Sequence, residues 1–237
     1  MGFILLYKET FVKRNLKNNE KFICRENVNL LSVVWFTIVV QTDIFLNMKK
    51  PALFTSFIAL FTAIICVGCF IKIPLGVVPV VLQNVLCILC AVLLGGFIGA
   101  APTALFLLAG LIGLPVYSGG TGGIAVWLGP TGGFLPGYLL GALVAGLIAG
   151  KPSVTEKKIT AGRVVRLALA ITAGMVVLYI PGVIRFAYWA SESAGYAMAA
   201  CVLPFIPGDI LKIVVAVPVA LKLRPVAAQY LYSEVKG

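Results

Sequence analysis

The stretch "GLPVYSGGTGGIAVWLGPTGGFLPGY", residues 113–138, holds nine glycines and three prolines and carries no charge. Apolar sequence lies on both sides of it. In a membrane protein, irregular backbone is tolerated only where it is buried in protein or lines a cavity. The stretch therefore predicts a segment that folds inward over a pocket, with aromatic walls from Tyr117, Trp127 and Tyr138.

The composition of the whole chain predicts an all-α integral membrane protein. Of its 237 residues, 61% are hydrophobic and 11% are charged, and the mean hydropathy is +1.06. A soluble domain carries about 25% charged residues, so this chain lacks the polar surface to dissolve. Its apolar runs are continuous rather than alternating, which favours helices over a barrel.

Six membrane-spanning helices are expected after Met48, and they form a compact bundle. The predicted spans are 53–71, 80–99, 101–114, 132–150, 164–185 and 206–222. Each is near the length that crosses ~30 Å of hydrocarbon, although the third is short. Glycine pairs at four-residue spacing, such as Gly137 and Gly141, predict close helix packing. Residues 48–237 are thus expected to form one six-helix domain.

Residues 1–47 differ from the rest of the chain. A polar stretch at 7–27 precedes an apolar stretch at 28–46 that Gln41 and Asp43 interrupt. Three interpretations stay open. The segment is an upstream extension ahead of a start at Met48, a real additional membrane helix, or a leader whose polar part is unusually long.

The charges predict the orientation of the six-helix domain. The net charge is +11, and the basic residues lie between apolar runs, as the positive-inside rule requires of cytoplasmic loops. Lysines and arginines precede span one, separate spans four and five and follow span six. We therefore expect a multi-pass protein of the cytoplasmic membrane, with both ends of the domain in the cytoplasm and the glycine-rich stretch outside.

Several function classes are disfavoured. The chain has no histidine, which excludes His-ligated metal sites and catalytic sets that need imidazole. Cys66/Cys69 and Cys87/Cys90 are CxxC pairs inside apolar runs, where buried thiolates are costly, so they are interpreted as packing residues. No P-loop motif is present. We expect that the protein is not an enzyme and that it binds no cofactor, metal or nucleic acid.

The strongest site signal is "VLPFIPGDILK", residues 202–212. Asp209 and Lys212 are three residues apart, so they share one face of a helix whose first turn contains Pro207. Ionisable residues inside a membrane are expensive and usually functional, although a self-neutralising ion pair is the alternative. Gln83, Asn84 and Arg185 are weaker candidates at the same outer level.

The runs "GLPVYSGGTGGIAVWLGPTGGFLPGYLLG" (113–141), "VLPFIPGDILK" (202–212) and "FIKIPLGVVPVVLQ" (70–83) resemble the biotin-specific substrate-binding component, BioY type, of energy-coupling factor (ECF) transporters. The resemblance covers about 51–224. It implies a subunit that captures biotin outside and works with a transmembrane coupling protein and two ATP-binding cassette ATPases, which alone use ATP.

Position by position, the resemblance implies ligand-binding roles for Asp209, Lys212 and Gln83. The position and chemistry of the residues themselves add further candidates, which are Asn84, Tyr117, Gly119, Gly120, Thr121 and Arg185. We expect the glycines to turn backbone N–H groups toward the ligand. Ala59 and Ala63 match the small-residue pattern through which such subunits dock on the coupling protein. A self-sufficient permease for another small solute, or a membrane scaffold without a ligand, remains the alternative.

Overall fold

The computed structural model describes residues 51–73, 80–154, 159–191 and 193–232. Some predictions therefore lie outside the described residues. They concern residues 1–47, Lys49, Lys50, Lys157, Lys158, Glu192, Lys236 and the loop at 74–79.

The described chain is helical apart from one small strand pair. The helices are α1 (Pro51–Val67), α2 (Gln83–Leu94), α3 (Ala101–Leu111), α4 (Ile124–Leu128), α5 (Phe134–Ala149), α6 (Ala161–Ala190), α7 (Ala194–Cys201) and α8 (Ile206–Leu231). Short 3-10 turns occupy Gly68–Phe70, Ile98–Ala100 and Leu203–Phe205. Strands β1 (Lys72–Ile73) and β2 (Val80–Val81) pair antiparallel.

Six of these helices coincide with the predicted spans. Within the described residues, three apolar helical stretches are long enough to cross a membrane: Ala52–Phe70, Ala161–Ala190 and Ala194–Leu231. Three shorter apolar helices cover Gln83–Leu94, Ile98–Leu111 and Phe134–Ala149. The all-helical character expected from composition is confirmed, and the helix lengths are less uniform than the sequence suggested.

Several predicted boundaries were wrong. Helix α6 continues five residues past the predicted end at 185, and α8 runs to Leu231 rather than 222. Pro218 and Pro225 lie inside α8 without ending it. Proline is tolerated inside membrane helices because neighbouring groups satisfy the freed carbonyls. Helix α2 starts at Gln83 rather than 80, because Val80 and Val81 pair with β1 instead.

Two helices were not predicted. Helix α4 lies inside the glycine-rich segment, which we define as residues 112–133, between α3 and α5. Helix α7 begins at Ala194, and the side chain of Ser193 caps its first turn by accepting from the N–H of Tyr196 at 3.2 Å. Both helices are at most eight residues long, which is too short for apolar periodicity to reveal them.

Helices α5 and α6 are held close by glycine. A Cβ atom at Gly137 would collide with the carbonyl of Leu178, and one at Gly141 would collide with that of Gly174. Such collisions show that the backbones of α5 and α6 lie close together, as in small-residue packing of membrane helices. The predicted packing role of these two glycines is confirmed. This contact fixes the wall of the bundle from which Tyr138 and Tyr179 project.

The outward faces of the long helices are apolar. On α6, Leu169, Val176, Ile180 and Ile184 are each more than half exposed. They recur at the spacing of one helix face, opposite the face that packs into the bundle. An apolar stripe of this kind is unfavourable in water and favourable in lipid, so the exposed surface supports insertion in a membrane.

Replacing Gly141 by alanine should separate α5 from α6. We expect Gly141→Ala to destabilise the purified protein by about 1–3 kcal/mol, since overpacking costs that much. Gly162→Ala is the matched control, because a Cβ there meets no atom within 4 Å. Thermal unfolding in detergent measures both variants. Equal midpoints for the two would contradict the close contact.

Candidate functional site

A cavity of about 440 Å³ lies at the end of the bundle where α2, α5 and α8 begin. The glycine-rich segment contributes one side of it, and the helices contribute the other. The residues lining the cavity are Gln83, Asn84, Tyr117, Ser118, Thr121, Ala125, Val126, Gly129, Pro130, Thr131, Phe134, Leu135, Tyr138, Leu178, Tyr179, Cys201, Phe205 and Lys212. Its volume falls within the ~300–1,000 Å³ of small-molecule sites.

The ammonium group of Lys212 is the cationic group on the cavity wall. Its Nζ lies 3.0 Å from Oδ1 of Asp209 and 3.1 Å from Oδ1 of Asn84. The other carboxylate oxygen of Asp209 accepts a hydrogen bond from the hydroxyl of Tyr179. One short network thus joins α2, α6 and α8.

The local sequence explains where this network forms. Pro207 lies at the start of α8, and Asp209 is the acidic residue of its first turn, as predicted. The positive end of the helix dipole favours a carboxylate there. Lys212 lies one turn further on the same face, which brings the two groups into contact. The predicted sharing of a helix face is confirmed.

Asp209 occupies a different position from the one expected. It is buried, with 8% of its surface exposed, and it does not line the cavity, whereas Lys212, Asn84 and Tyr179 do. Its two oxygens already accept from Tyr179 and Lys212. Asp209 therefore binds Lys212 from behind the cavity wall, and the ion pair carries no net charge.

Tyr179 was missed by the sequence analysis. It lies 30 positions before Asp209, on a different helix, and no spacing rule connects the two. A tyrosine within the apolar run of α6, two residues before Pro181, was the available signal. Ser118 was missed as well. Its hydroxyl oxygen is buried beside the cavity and has no hydrogen-bond partner among the described groups.

Gln83 fixes the glycine-rich segment to the bundle. Its side-chain Nε2 donates to the carbonyl of Val116 at 2.8 Å and to the carbonyl of Ile65 at 3.0 Å. An amide nitrogen has two N–H donors, so both are used within the protein. Gln83 lines the cavity as expected, but its donor groups hold the segment in place.

Tyr117 anchors the glycine-rich segment from within. It is 1% exposed; its hydroxyl donates to the carbonyl of Leu107 at 2.6 Å and accepts from Nε1 of Trp127 at 2.9 Å. A Cβ at Gly110 would collide with the Tyr117 ring, so glycine at that position makes room for it. Burial raises the pKa of Tyr117 to about 12, against a smaller lowering by the Trp127 hydrogen bond. The phenol is therefore neutral at physiological pH.

The two predicted glycines lie beside the cavity rather than on its wall. The N–H of Gly119 donates to the carbonyl of Cys69 at 3.0 Å, and that of Gly120 donates to the carbonyl of Tyr117 at 2.9 Å. The expectation that these N–H groups point at a ligand is wrong for this conformation. Both residues have positive φ, so glycine is needed for the turn itself. Thr121, the third member of the predicted set, does line the cavity.

Arg185 contacts the glycine-rich segment, not the cavity. Its Nη2 donates to the carbonyl of Leu128, the last residue of α4, at 2.7 Å. The cation thus supports the carboxyl end of a short helix, where a positive charge is favourable. The structure does not bring Arg185 together with Lys212 on one wall.

The cysteines lie where apolar packing residues are expected. Cys69, Cys87 and Cys90 are buried, and all three are free thiols. Cys87 and Cys90 belong to the main hydrophobic core. No group of three or more potential metal ligands was found among the residues that the structure describes.

Comparison with known proteins identifies relatives of this chain. The model of the BioY family matches residues 43–229. The "Biotin transporter BioY" of Thermotoga maritima is 38% identical over 165 residues, 70% of this chain and 92% of the relative. The protein of the same name from Rhodobacter capsulatus is 37% identical over 170 residues, 67% of this chain and 86% of the relative.

A solved structure shares the fold. The crystal structure of the S-component for biotin from an ECF-type ABC transporter superposes with a TM-score of 0.64 at 28% sequence identity. The match covers 74% of this chain and 93% of that chain. The helical arrangement described above is therefore the fold of an ECF S-component.

Removing the hydroxyl of Tyr117 should loosen the glycine-rich segment without emptying its core position. We expect Tyr117→Phe to raise hydrogen exchange across residues 112–128 by about tenfold to thirtyfold, since the hydroxyl makes two hydrogen bonds and each contributes about 1 kcal/mol. Tyr188→Phe is the control, because Tyr188 is 68% exposed and lies outside that segment. Unchanged exchange in Tyr117→Phe would show that the hydroxyl does not hold the segment.

Proposed function

This chain belongs to the BioY family, and we propose that it captures biotin for uptake, as the substrate-binding subunit of an ECF-type ABC transporter. The observation that carries the proposal is the position of Lys212, whose ammonium group lines the cavity while Asp209 and Asn84 hold it. A tethered polar group in a cavity with apolar walls is the usual form of a site for a small organic ligand.

The ureido ring of biotin suits the Lys212 end of the cavity. The Asp209–Lys212 pair is neutral, so it favours an uncharged polar group over the ligand's carboxylate, which would approach the Asp209 charge. The ureido oxygen accepts from the third N–H of Lys212, because the other two donate to Asp209 and Asn84. Charge-assisted bonds of this type contribute ~1.5–3 kcal/mol each.

The remaining parts of biotin fit the rest of the wall. Phe134, Leu135 and Leu178 offer apolar surface to the thiophane ring and the valerate chain. At the glycine-rich segment, the buried hydroxyl of Ser118 is a free donor for the carboxylate, and Thr121 lies beside it. Together with burial of the ligand, two charge-assisted bonds are sufficient for nanomolar affinity, about 12 kcal/mol.

Equilibrium binding of labelled biotin to the purified protein tests this function. We expect saturable nanomolar binding, and Lys212→Met should weaken it at least tenfold, since that loss corresponds to about 1.4 kcal/mol. Asp209→Asn should weaken it to a similar extent, because the lysine loses its charged partner. Lys222→Met is the control, since Lys222 lies exposed on the same helix.

Two outcomes would contradict the proposal at different levels. Absence of saturable binding in the unmodified protein would reject biotin capture. Native affinity in both Lys212→Met and Asp209→Asn would keep the function and place the ligand elsewhere in the cavity.

We infer that transport needs partner subunits: a transmembrane coupling protein and two ATP-binding cassette ATPases. This chain contains no P-loop motif of its own, so ATP-driven release into the cell depends on another protein. Ala59 and Ala63 are exposed on α1, while Phe54, Ile58 and Ile65 on the same helix are buried. The exposed alanines support α1 as the docking face, since small residues let a partner helix approach closely.

Replacing the two alanines by larger residues should impair docking on the partner subunits and leave ligand binding intact. We expect Ala59→Leu and Ala63→Leu to lower biotin uptake at least tenfold in cells that co-express the partner subunits, with biotin affinity unchanged. Ala199→Leu, at an exposed position on α7, is the control. Uptake without co-expressed partners would favour a self-sufficient permease, and normal uptake by the alanine variants would exclude this docking face.

We also propose an orientation for the domain that the sequence predicts at residues 48–237. Lys151, Arg166 and Lys222 are exposed at the end of the bundle opposite the cavity. Positive residues concentrate on the cytoplasmic side of membrane proteins. We therefore propose that the cavity faces outward from the cytoplasmic membrane and that both ends of this domain are cytoplasmic.

A further inference from the structure

Arg224 is a fully buried arginine at the end of the bundle opposite the cavity. None of its surface is exposed. Its Nη1 donates to the carbonyl of Val92 at 2.5 Å, and its Nη2 lies 3.0 Å from the carbonyl of Ala149 and 3.1 Å from that of Gly150. One guanidinium group on α8 therefore contacts the carboxyl-terminal ends of both α2 and α5.

These carbonyls are the groups that helices leave without internal partners. The last four carbonyls of a helix have no intrahelical donor, and the negative end of the dipole favours a cation there. Tyr232, just after α8, adds a third cap by donating to the carbonyl of Leu94 at 3.0 Å. Arg224 and Tyr232 thus both cap the last turn of α2.

The three helices that meet at Arg224 also build the cavity at their other ends. Helix α2 begins with Gln83 and Asn84, α5 begins at Phe134, and α8 carries Lys212 near its start. Helices α2 and α8 are tied at the cavity end by the bond from Lys212 to Asn84. Arg224 follows Lys212 by twelve residues, about 18 Å along the helix.

Stability alone is a weak reason for this arrangement. Taking a charged group out of water costs several kcal/mol, so a buried, hydrogen-bonded charge contributes little net stability. The best attested use of such groups is to fix register between packed elements. A bidentate guanidinium is suited to that use, because its rigid fork makes several bonds in one geometry.

We propose that Arg224 is a positioning residue for the ligand site. It fixes the axial register of α8 against α2 and α5, so that Lys212 stays against Asn84 at the far end. The part of the proposal that concerns ligand affinity rests on the proposed biotin function. The part that concerns helix register does not, and it has its own measurement.

The test compares Arg224→Met and Arg224→Lys with Lys222→Met. Methionine has a similar length without donors, lysine keeps the charge but cannot bridge two helix ends with a rigid fork, and Lys222 is exposed two residues away. We expect Arg224→Met to weaken biotin binding at least tenfold and Arg224→Lys to weaken it several-fold. Hydrogen exchange should rise in residues 83–87 and 206–212 and stay unchanged in α1. Lys222→Met should match the unmodified protein.

Native affinity together with native exchange in folded Arg224→Met would overturn the proposal. A uniform rise of hydrogen exchange in all helices would also overturn it, if biotin affinity falls only in proportion to the unfolded fraction. That pattern would mean that Arg224 has a purely structural role. If Arg224→Met does not fold, the same criteria apply to Arg224→Lys. If the unmodified protein binds no biotin, the proposed function fails, and the exchange pattern alone decides the register proposal.

Discussion

The contact between Lys212 and Asp209 is the interaction on which the site depends. A lone ammonium group inside an apolar helix bundle would be too costly, and the nearby carboxylate of Asp209 makes it possible. Tyr179 and Asn84 complete the network from two other helices. The result is a neutral but strongly polar spot on a cavity wall that is otherwise largely apolar. An uncharged ligand group with donors and acceptors suits that spot better than an ion.

The glycine-rich segment covers the cavity with irregular backbone, whose N–H and C=O groups need hydrogen-bond partners within the protein. Many of its N–H groups donate to carbonyls of the protein, Gln83 and Arg185 hold it from neighbouring helices, and Tyr117 anchors it from within. Because these bonds are internal, the backbone groups that form them are satisfied even if the segment lies at membrane depth. Its glycines allow the turns and the close approach of neighbouring backbone. Its polar side chains are the groups left to bind a ligand.

The sequence predicted the helical membrane character, the approximate position of each span and the shared face of Asp209 and Lys212, because these follow from local hydropathy and helix period. It did not predict that Asp209 would lie behind Lys212 relative to the cavity, or that Tyr179 would donate a hydrogen bond to Asp209. Both contacts depend on the rotation of α6 against α8. Gln83 and Arg185 were predicted as candidate ligand contacts, but their partners in the structure, Val116 and Leu128, contribute backbone carbonyls of the irregular segment. Backbone carbonyls are the same for every residue type, so no sequence pattern identifies which one a side chain will reach. The length of α8 was underestimated because proline usually ends a helix in water, whereas α8 continues past Pro225 to Leu231.

A structure of the protein with biotin bound tests the central claim most directly. The account predicts the ureido ring within hydrogen-bond distance of Nζ of Lys212, with the carboxylate toward Ser118 and the glycine-rich segment still bonded to Gln83. A ligand bound outside this cavity, or one whose carboxylate contacts Lys212 while the ureido ring lies at the glycine-rich segment, would contradict it.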